Sequence, residues 1–274
     1  MKVVIKRSGG MGDIIHSFII AEKLTKIGCV VDIVAKDYYL DLCSLSPYIN
    51  KAYDRNNYEG IIDIELDGVY ELTPTKNIYK RKHNEIKTWV NRVNNFLVPF
   101  NKKIDSEYIT PELKLQPKSK QMGLDFLKQY QKPWNIFVRG SHGDKTRRIQ
   151  KNTYEQLSKY MNGTCFMLDW DNVSGTIKLP IFNITELCSF IYNCDYIITP
   201  LSGALHVAES FKKNIITINQ SNIIDLVFPN NNMKFITNKL KCIGCLEWNN
   251  CKKEEIEEKI PCQQINYKEI LKLI

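Results

Sequence analysis

The sequence predicts an α/β protein built as two lobes, each an open parallel sheet covered by helices. Three observations point there. The 274 residues exceed the usual single-domain size, so two lobes of roughly 130 residues each are favoured over one core. From the N-terminus onward, strand-like apolar runs alternate with stretches of helical period, the pattern of parallel strands joined by crossover helices. That alternation breaks off in a stretch punctuated by Pro99, Pro111 and Pro117, then restarts after Pro133. The lobes are therefore expected at residues 1–132 and 133–274.

In order, residues 1–7 (MKVVIKR) read as a buried strand, and residues 13–27 carry Ile14, Ile15, Phe18, Ile19 and Leu24 near helical spacing. Gly28 ends that helix. A strand at 30–35, a helical stretch around 38–45 and a strand at 61–66 complete a β-α-β-α-β series. Helices at 85–96 and 118–130 close the first lobe. The second begins with a strand at 134–139 and a loop holding Gly140, Gly143 and basic residues. Helices at 153–161, 184–193 and 203–211 alternate there with strands at 165–169, 195–199 and 214–219. Asn183 followed three residues later by Glu186 is a capping-box pattern that fixes one helix start.

Composition narrows the function classes. Hydrophobic residues at 43% and charged residues at 25% are near globular averages, so the chain is expected to fold throughout. No apolar run approaches the roughly 20 residues that cross a bilayer, and residue 1 leads into a strand rather than a cleavable signal. A cytoplasmic protein follows, with peripheral membrane contact as its route to lipid. Nine cysteines without a secretory signal read as reduced thiols or metal ligands rather than a disulfide framework. A formal charge of +8 suits an anionic partner such as a nucleotide, a phosphorylated glycan, a membrane surface or DNA.

Three stretches carry candidate chemistry. RSGGMGDIIHSF, residues 7–18, puts Gly10, Met11, Gly12 and Asp13 between the first strand and first helix. Glycines there permit close approach by a ligand, and the helix start supplies amide donors. The run lacks the Gly-Lys-Ser/Thr ending of a P-loop and the full spacing of a dinucleotide fingerprint. An aspartate at that point suits a base that takes a proton from a neutral hydroxyl, or it simply caps the helix. His16, one turn on, either faces the same site or packs.

Residues 138–157, VRGSHGDKTRRIQKNTYEQL, set Arg139, Lys145, Arg147 and Arg148 after the second lobe's first strand. Cations there stabilise a departing nucleoside diphosphate, or form an ordinary solvated loop. Residues 194–218, CDYIITPLSGALHVAESFKKNIITI, place Ser202 and Gly203 between a strand end and a helix start, with His206 one turn in. A hydroxyl and unpaired amides at that point hold a diphosphate; the plain alternative is a serine cap and a core histidine.

The order of strand, GGMGD and helix, then a basic loop, then a strand ending in SGALH resembles the heptosyltransferase-like glycosyltransferases, family nine. Met11-Gly12-Asp13 and Ser202-Gly203-x-x-His206 match that family's S-x-M-G-D and N/T-D-S/T-G-x-x-H. The resemblance implies the GT-B fold, two Rossmann-like lobes with parallel sheets facing an interlobe cleft. The acceptor side would be the N-terminal lobe and the nucleotide-sugar side the C-terminal one. It also implies inverting transfer with Asp13 as catalytic base, a phosphate-binding cation near Arg147, and Ser202, Gly203 and His206 along the diphosphate. No metal cofactor would be needed for transfer. The implied partners are a nucleotide-sugar donor and a glycan or glycolipid acceptor such as lipopolysaccharide or capsule. Where the family has an acidic residue before the Ser/Thr-Gly pair, this chain has Leu201, which cannot accept hydrogen bonds from donor-sugar hydroxyls.

Cys242, Cys245, Cys251 and Cys262 resemble the cysteine-bearing segment that often precedes the family's last helix. Four thiolates can hold a structural zinc tetrahedrally, although only the first interval, C-x2-C, fits a standard site. Two rival functions complete the expectations. Hydroxylated DNA as acceptor would suit the positive charge, and a non-catalytic nucleotide-sugar sensor would suit Leu201.

Overall fold

The computed structural model describes residues 1–67, 85–107, 109–140, 148–168, 172–219, 232–237 and 261–274. The chain divides into two units, Met1–Leu115 and Gln116–Ile274.

In the first unit, β1 (Lys2–Lys6), β2 (Val30–Ala35), β3 (Lys51–Asp54) and β4 (Ile64–Glu65) form a sheet of order β3-β2-β1-β4. Every pairing is parallel, with Val3 opposite Val31 and Ile5 opposite Ile64. Because β1 and β2 are sheltered on both faces, Val3–Ile5 and Val31–Ala35 read as unbroken apolar or buried runs rather than alternating ones. The connecting helix α1 (Met11–Lys26) is buried at every position from Ile14 to Leu24. Its embedded charges are matched: Lys23 bonds Asp105, and Glu22 pairs with Lys26 at 2.8 Å. A short helix α2 (Leu40–Ser44) precedes β3, and α3 (Glu85–Leu97) brings the fully buried Trp89 and Val93 into this core.

The second unit begins with α4 (Pro117–Leu127). The sequence reading groups this helix with the first lobe, to residue 132, because the next strand opens after Pro133. Its partner is instead α6 (Ile184–Asn193), and the two pack closely enough that Gly123 N–H donates to Ser189 Oγ at 3.0 Å. Asn193 Nδ2 donates to Lys120 O at 2.9 Å, and the Phe126 and Phe190 rings meet edge-on at 5.4 Å.

The second sheet contains β5 (Trp134–Phe137), β6 (Thr164–Met167), β7 (Ile177–Lys178), β8 (Tyr196–Pro200), β9 (Asn214–Asn219) and β10 (Met233–Thr237). Their order is β10-β9-β8-β5-β6-β7, again all parallel. The alternation of side chains sorts the two faces. Phe166 meets Phe126 and Tyr130 of the α4 region, whereas its neighbours Cys165 and Met167 join Phe137, Ile198 and Ile216 around α5 (Lys151–Tyr160). Ile270 of the last helix, α8 (Tyr267–Leu271), seals that second cluster. The expected capping box is present: Glu186 N–H donates to Asn183 Oδ1 at 2.9 Å and the Glu186 carboxylate accepts from Asn183 N–H at 3.3 Å.

Among the described residues no helix is long and apolar enough to cross a membrane. Cys43, Cys165, Cys188 and Cys194 are buried, and burial pushes each thiol up to about 12. At neutral pH they are protonated packing groups without nucleophilic character.

Candidate functional site

The first unit's candidate residues gather where β1 ends. In a parallel sheet the loops after the strands share one edge, and that edge is where open α/β sheets bind ligands. Helix α1 starts at Met11 with Gly10 as its cap residue, so Asp13 occupies the third helical position. One carboxylate oxygen, Oδ2, accepts the Gly10 N–H at 2.6 Å. The other, Oδ1, faces the Arg7 guanidinium at 2.8 Å. The Asp13 side chain keeps 26% exposure while Arg7 keeps 4%, so a part-exposed carboxylate is anchored by a buried cation.

The glycine whose lack of a side chain this geometry needs is Gly9. A Cβ there would lie 2.3 Å from Asp13 Oδ2, whereas one at Gly10 would lie at 3.6 Å. Tyr39 lies against the Met11 backbone at the same loop, and burial, followed by the neighbouring Tyr38, pushes its phenol up to about 12. Met11 and Gly12 share the half-exposed helix start with Asp13, while His16 is 5% exposed.

Arg7, Gly9 and Tyr39 are absent from the sequence expectations. A basic residue ending a strand gives no sign of burial, and only the Asp13 side-chain position distinguishes Gly9 from Gly10.

In the second unit, β5 and β8 are neighbours, with Phe137 opposite Ile198. The loops that follow them are therefore adjacent. Arg139 and Ile149 pinch the first loop closed: Ile149 N–H donates to Arg139 O at 2.7 Å and Arg139 Nε to Ile149 O at 3.0 Å. Arg148 thus stands beside Arg139 at the loop's neck, both half-buried. Below them Tyr154 OH donates to Val138 O at 2.5 Å and lies 3.3 Å from Ile198 O. Its ring stacks on Phe137, 4.9 Å between centroids.

After β8, Ser202 caps α7 (Gly203–Ser210) with extended backbone, but its hydroxyl does not cap. It pairs instead with Thr199 Oγ1 at 2.9 Å; Leu205 N–H turns back to Ser202 O at 3.1 Å, and the Gly203 and Ala204 amides ahead of it are the donors that a helix start presents to an anion. His206 Nδ1 is 3.5 Å from the Glu209 carboxylate, which is fully buried. Leu201 is 5% exposed, so its apolar side chain is packed inward at this edge.

Arg139, Arg148, Ser202, Gly203 and His206 thus share one edge of the second unit. Lys145 and Arg147 lie outside the described residues, as do Cys242, Cys245 and Cys251. The fourth cysteine of that set, Cys262, is buried.

Two units, each built on an all-parallel sheet with helices on its faces, define a two-lobed, Rossmann-like α/β class. No family model matches the sequence, and no curated protein matches it either. Solved structures do. A family 9 glycosyltransferase from Veillonella parvula superposes with a TM-score of 0.73 at 12% identity, covering 99% of this chain and 95% of that one. The ADP-heptose lipopolysaccharide heptosyltransferase II of Escherichia coli gives 0.65 at 14% identity, covering 100% and 98%. TibC, an iron-containing dodecameric glycosyltransferase of enterotoxigenic E. coli, gives 0.68 at 13% identity, covering 99% and 76%. TibC has also been solved with ADP-D-β-D-heptose. At these identities the likeness establishes the fold.

Proposed function

We propose that the protein is an inverting glycosyltransferase that moves a sugar from a nucleotide sugar to an acceptor hydroxyl on a bacterial surface glycan, lipopolysaccharide or capsule. The observation that carries this reading is the Asp13 carboxylate, anchored by Arg7 and the Gly10 amide yet 26% exposed. Each carboxylate oxygen can accept more than one hydrogen bond, so a carboxylate that is anchored and part-exposed can still take a proton from a substrate hydroxyl.

In this mechanism the acceptor oxygen attacks the anomeric carbon as the bond from that carbon to the diphosphate oxygen breaks. The acceptor proton passes to Asp13, and a single displacement inverts the anomeric centre. Negative charge grows on the departing nucleoside diphosphate. Arg139 and Arg148, the first amides of α7 and the Ser202 hydroxyl are the groups that would receive it, and Lys145 and Arg147, which fall between the two arginines in sequence, are proposed to join them. These fixed donors take the part a divalent metal plays elsewhere, so transfer should persist in a chelator. That the solved neighbours include complexes with ADP and ADP-linked heptose makes an adenine nucleotide the first donor to try. Leu201 argues for a sugar other than heptose.

The test pairs Asp13→Ala with a thermal-shift series against ADP-, UDP-, GDP- and dTDP-sugars. A bound donor stabilises the fold by mass action. The expected result is one nucleotide class that raises the melting temperature of both proteins, with sugar transfer seen only in the wild type. Full turnover by Asp13→Ala would refute the base assignment, and donor binding without any transfer by the wild type would favour a sensor.

A further inference from the structure

We infer that Arg7 is a positioning residue for the Asp13 carboxylate and that Asp67 in turn fixes Arg7. This rests on the reading of Asp13 as the proton acceptor. A guanidinium stays charged at every accessible pH, so burying one requires partners on several sides. Arg7 has them. Its Nη2 reaches Asp13 Oδ1 at 2.8 Å, while its Nη1 donates to Asp67 Oδ1 and to Leu66 O, each at 3.2 Å. Its Cζ sits 5.0 Å from the centre of the buried Trp89 ring, where a planar cation is attracted to the aromatic face.

Asp67 is itself tied down. Its Oδ1 accepts the Ser8 N–H at 2.7 Å, and its carbonyl accepts Arg92 Nη1 at 2.6 Å. Residues just past the ends of β1 and β4 therefore converge on one guanidinium, and that guanidinium holds one oxygen of Asp13. Capping the helix does not require this. The cap bond runs from Gly10 N–H to Oδ2, and a carboxylate with only that bond still turns about its side-chain torsions. The second anchor, on the other oxygen, restricts that rotation and fixes the plane of the carboxylate.

Lysine cannot replace the arrangement. A single ammonium point charge lacks the rigid fork that serves Asp13 and Asp67 together.

The experiment compares Arg7→Lys, Asp67→Asn and Asp13→Ala as full-length proteins, each checked by circular dichroism and melting temperature. Misplacing a catalytic group by about 1 Å costs on the order of 100-fold, so Arg7→Lys should lower kcat about 10- to 100-fold. Asp67→Asn, which keeps shape and one hydrogen-bonding oxygen, should lower it less. In both, the donor KM and the donor-induced rise in melting temperature should stay within about twofold of wild type, a split that general loosening of the fold would not give.

If Asp13→Ala is inactive but Arg7→Lys and Asp67→Asn keep wild-type kcat, the positioning role is wrong and the base assignment survives. If Asp13→Ala turns over normally, the base assignment itself fails. Should Arg7→Lys not fold, Asp67→Asn decides: an unchanged kcat there overturns the inference.

Discussion

Replacing Gly9 by alanine tests the geometry at the start of α1 most directly. The added methyl would stand 2.5 Å from Asp13 Cβ, 2.6 Å from Cγ and 2.3 Å from Oδ2. Carbon atoms rest at about 3.5–4.0 Å, so the Asp13 side chain must retreat by roughly 1 Å. That retreat strains or breaks two bonds, the 2.6 Å contact with Gly10 N–H and the 2.8 Å contact with Arg7. Hydrogen bonds to charged groups contribute about 1.5–3 kcal/mol each. With a factor of ten in rate for every 1.36 kcal/mol, losing one of them from the transition state lowers kcat about 10- to 100-fold.

Initial rates of nucleoside diphosphate release at saturating donor and acceptor measure it. The comparison is Gly10→Ala, whose methyl meets Oδ2 at an ordinary 3.6 Å. The carboxylate then stays in place, and any loss comes from crowding the substrate and appears in KM. If Gly9→Ala keeps kcat within about twofold of wild type, the anchored position of Asp13 does not matter to the reaction.

Two further outcomes concern the scaffold. Gly123→Ala should destabilise the second unit although alanine is the better helix former by about 1 kcal/mol. Its Cβ would lie 2.8 Å from the Ser189 carbonyl oxygen, a backbone atom that cannot step aside, and overpacking of this kind costs about 1–3 kcal/mol. A lower urea midpoint is expected; an unchanged or higher one would show that α4 slides freely on α6. Asp32→Asn should blunt acid sensitivity. Burial by itself would raise the Asp32 carboxyl, but hydrogen bonds from Lys2, Asn50 and Tyr53 outweigh it and hold the group below its ordinary value. A lowered folded value means stability that is present above about pH 4, the unfolded value, and is lost as pH falls through the folded one. Below pH 4 the wild-type urea midpoint should therefore fall more steeply than that of Asp32→Asn; parallel curves would contradict it.

What the sequence disclosed follows from where the determining forces lie. β2 and α6 were legible to the residue, because an unbroken apolar run and an Asn183–Glu186 box are local signals. Lys51–Asp54, Ile177–Lys178 and Met233–Thr237 were not. The first two are short and half-exposed, the third is mixed, and all three exist because a neighbouring strand offers hydrogen bonds, a property of the partner as much as of the segment. The same division runs through the site. Asp13, Ser202 and His206 stand in recognisable spacings. The Arg7–Asp67 pairing spans sixty positions and joins residues past the ends of two strands that only the folded sheet makes adjacent. The helix of residues 117–127 was legible as a helix but not in its allegiance, since Gly123 says nothing in sequence about a serine 66 positions away.

Tyr154 bears on how such a protein can change its chemistry over generations. One phenol, anchored in the interior, clasps the backbone just before two neighbouring loops depart from the sheet. With the strand ends so fastened, part-exposed positions just past them, such as Arg139, Arg148 and Ser202, can change at little structural cost. If the protein is the glycosyltransferase proposed, new donor preferences should arise there and leave the melting behaviour of the molecule almost untouched.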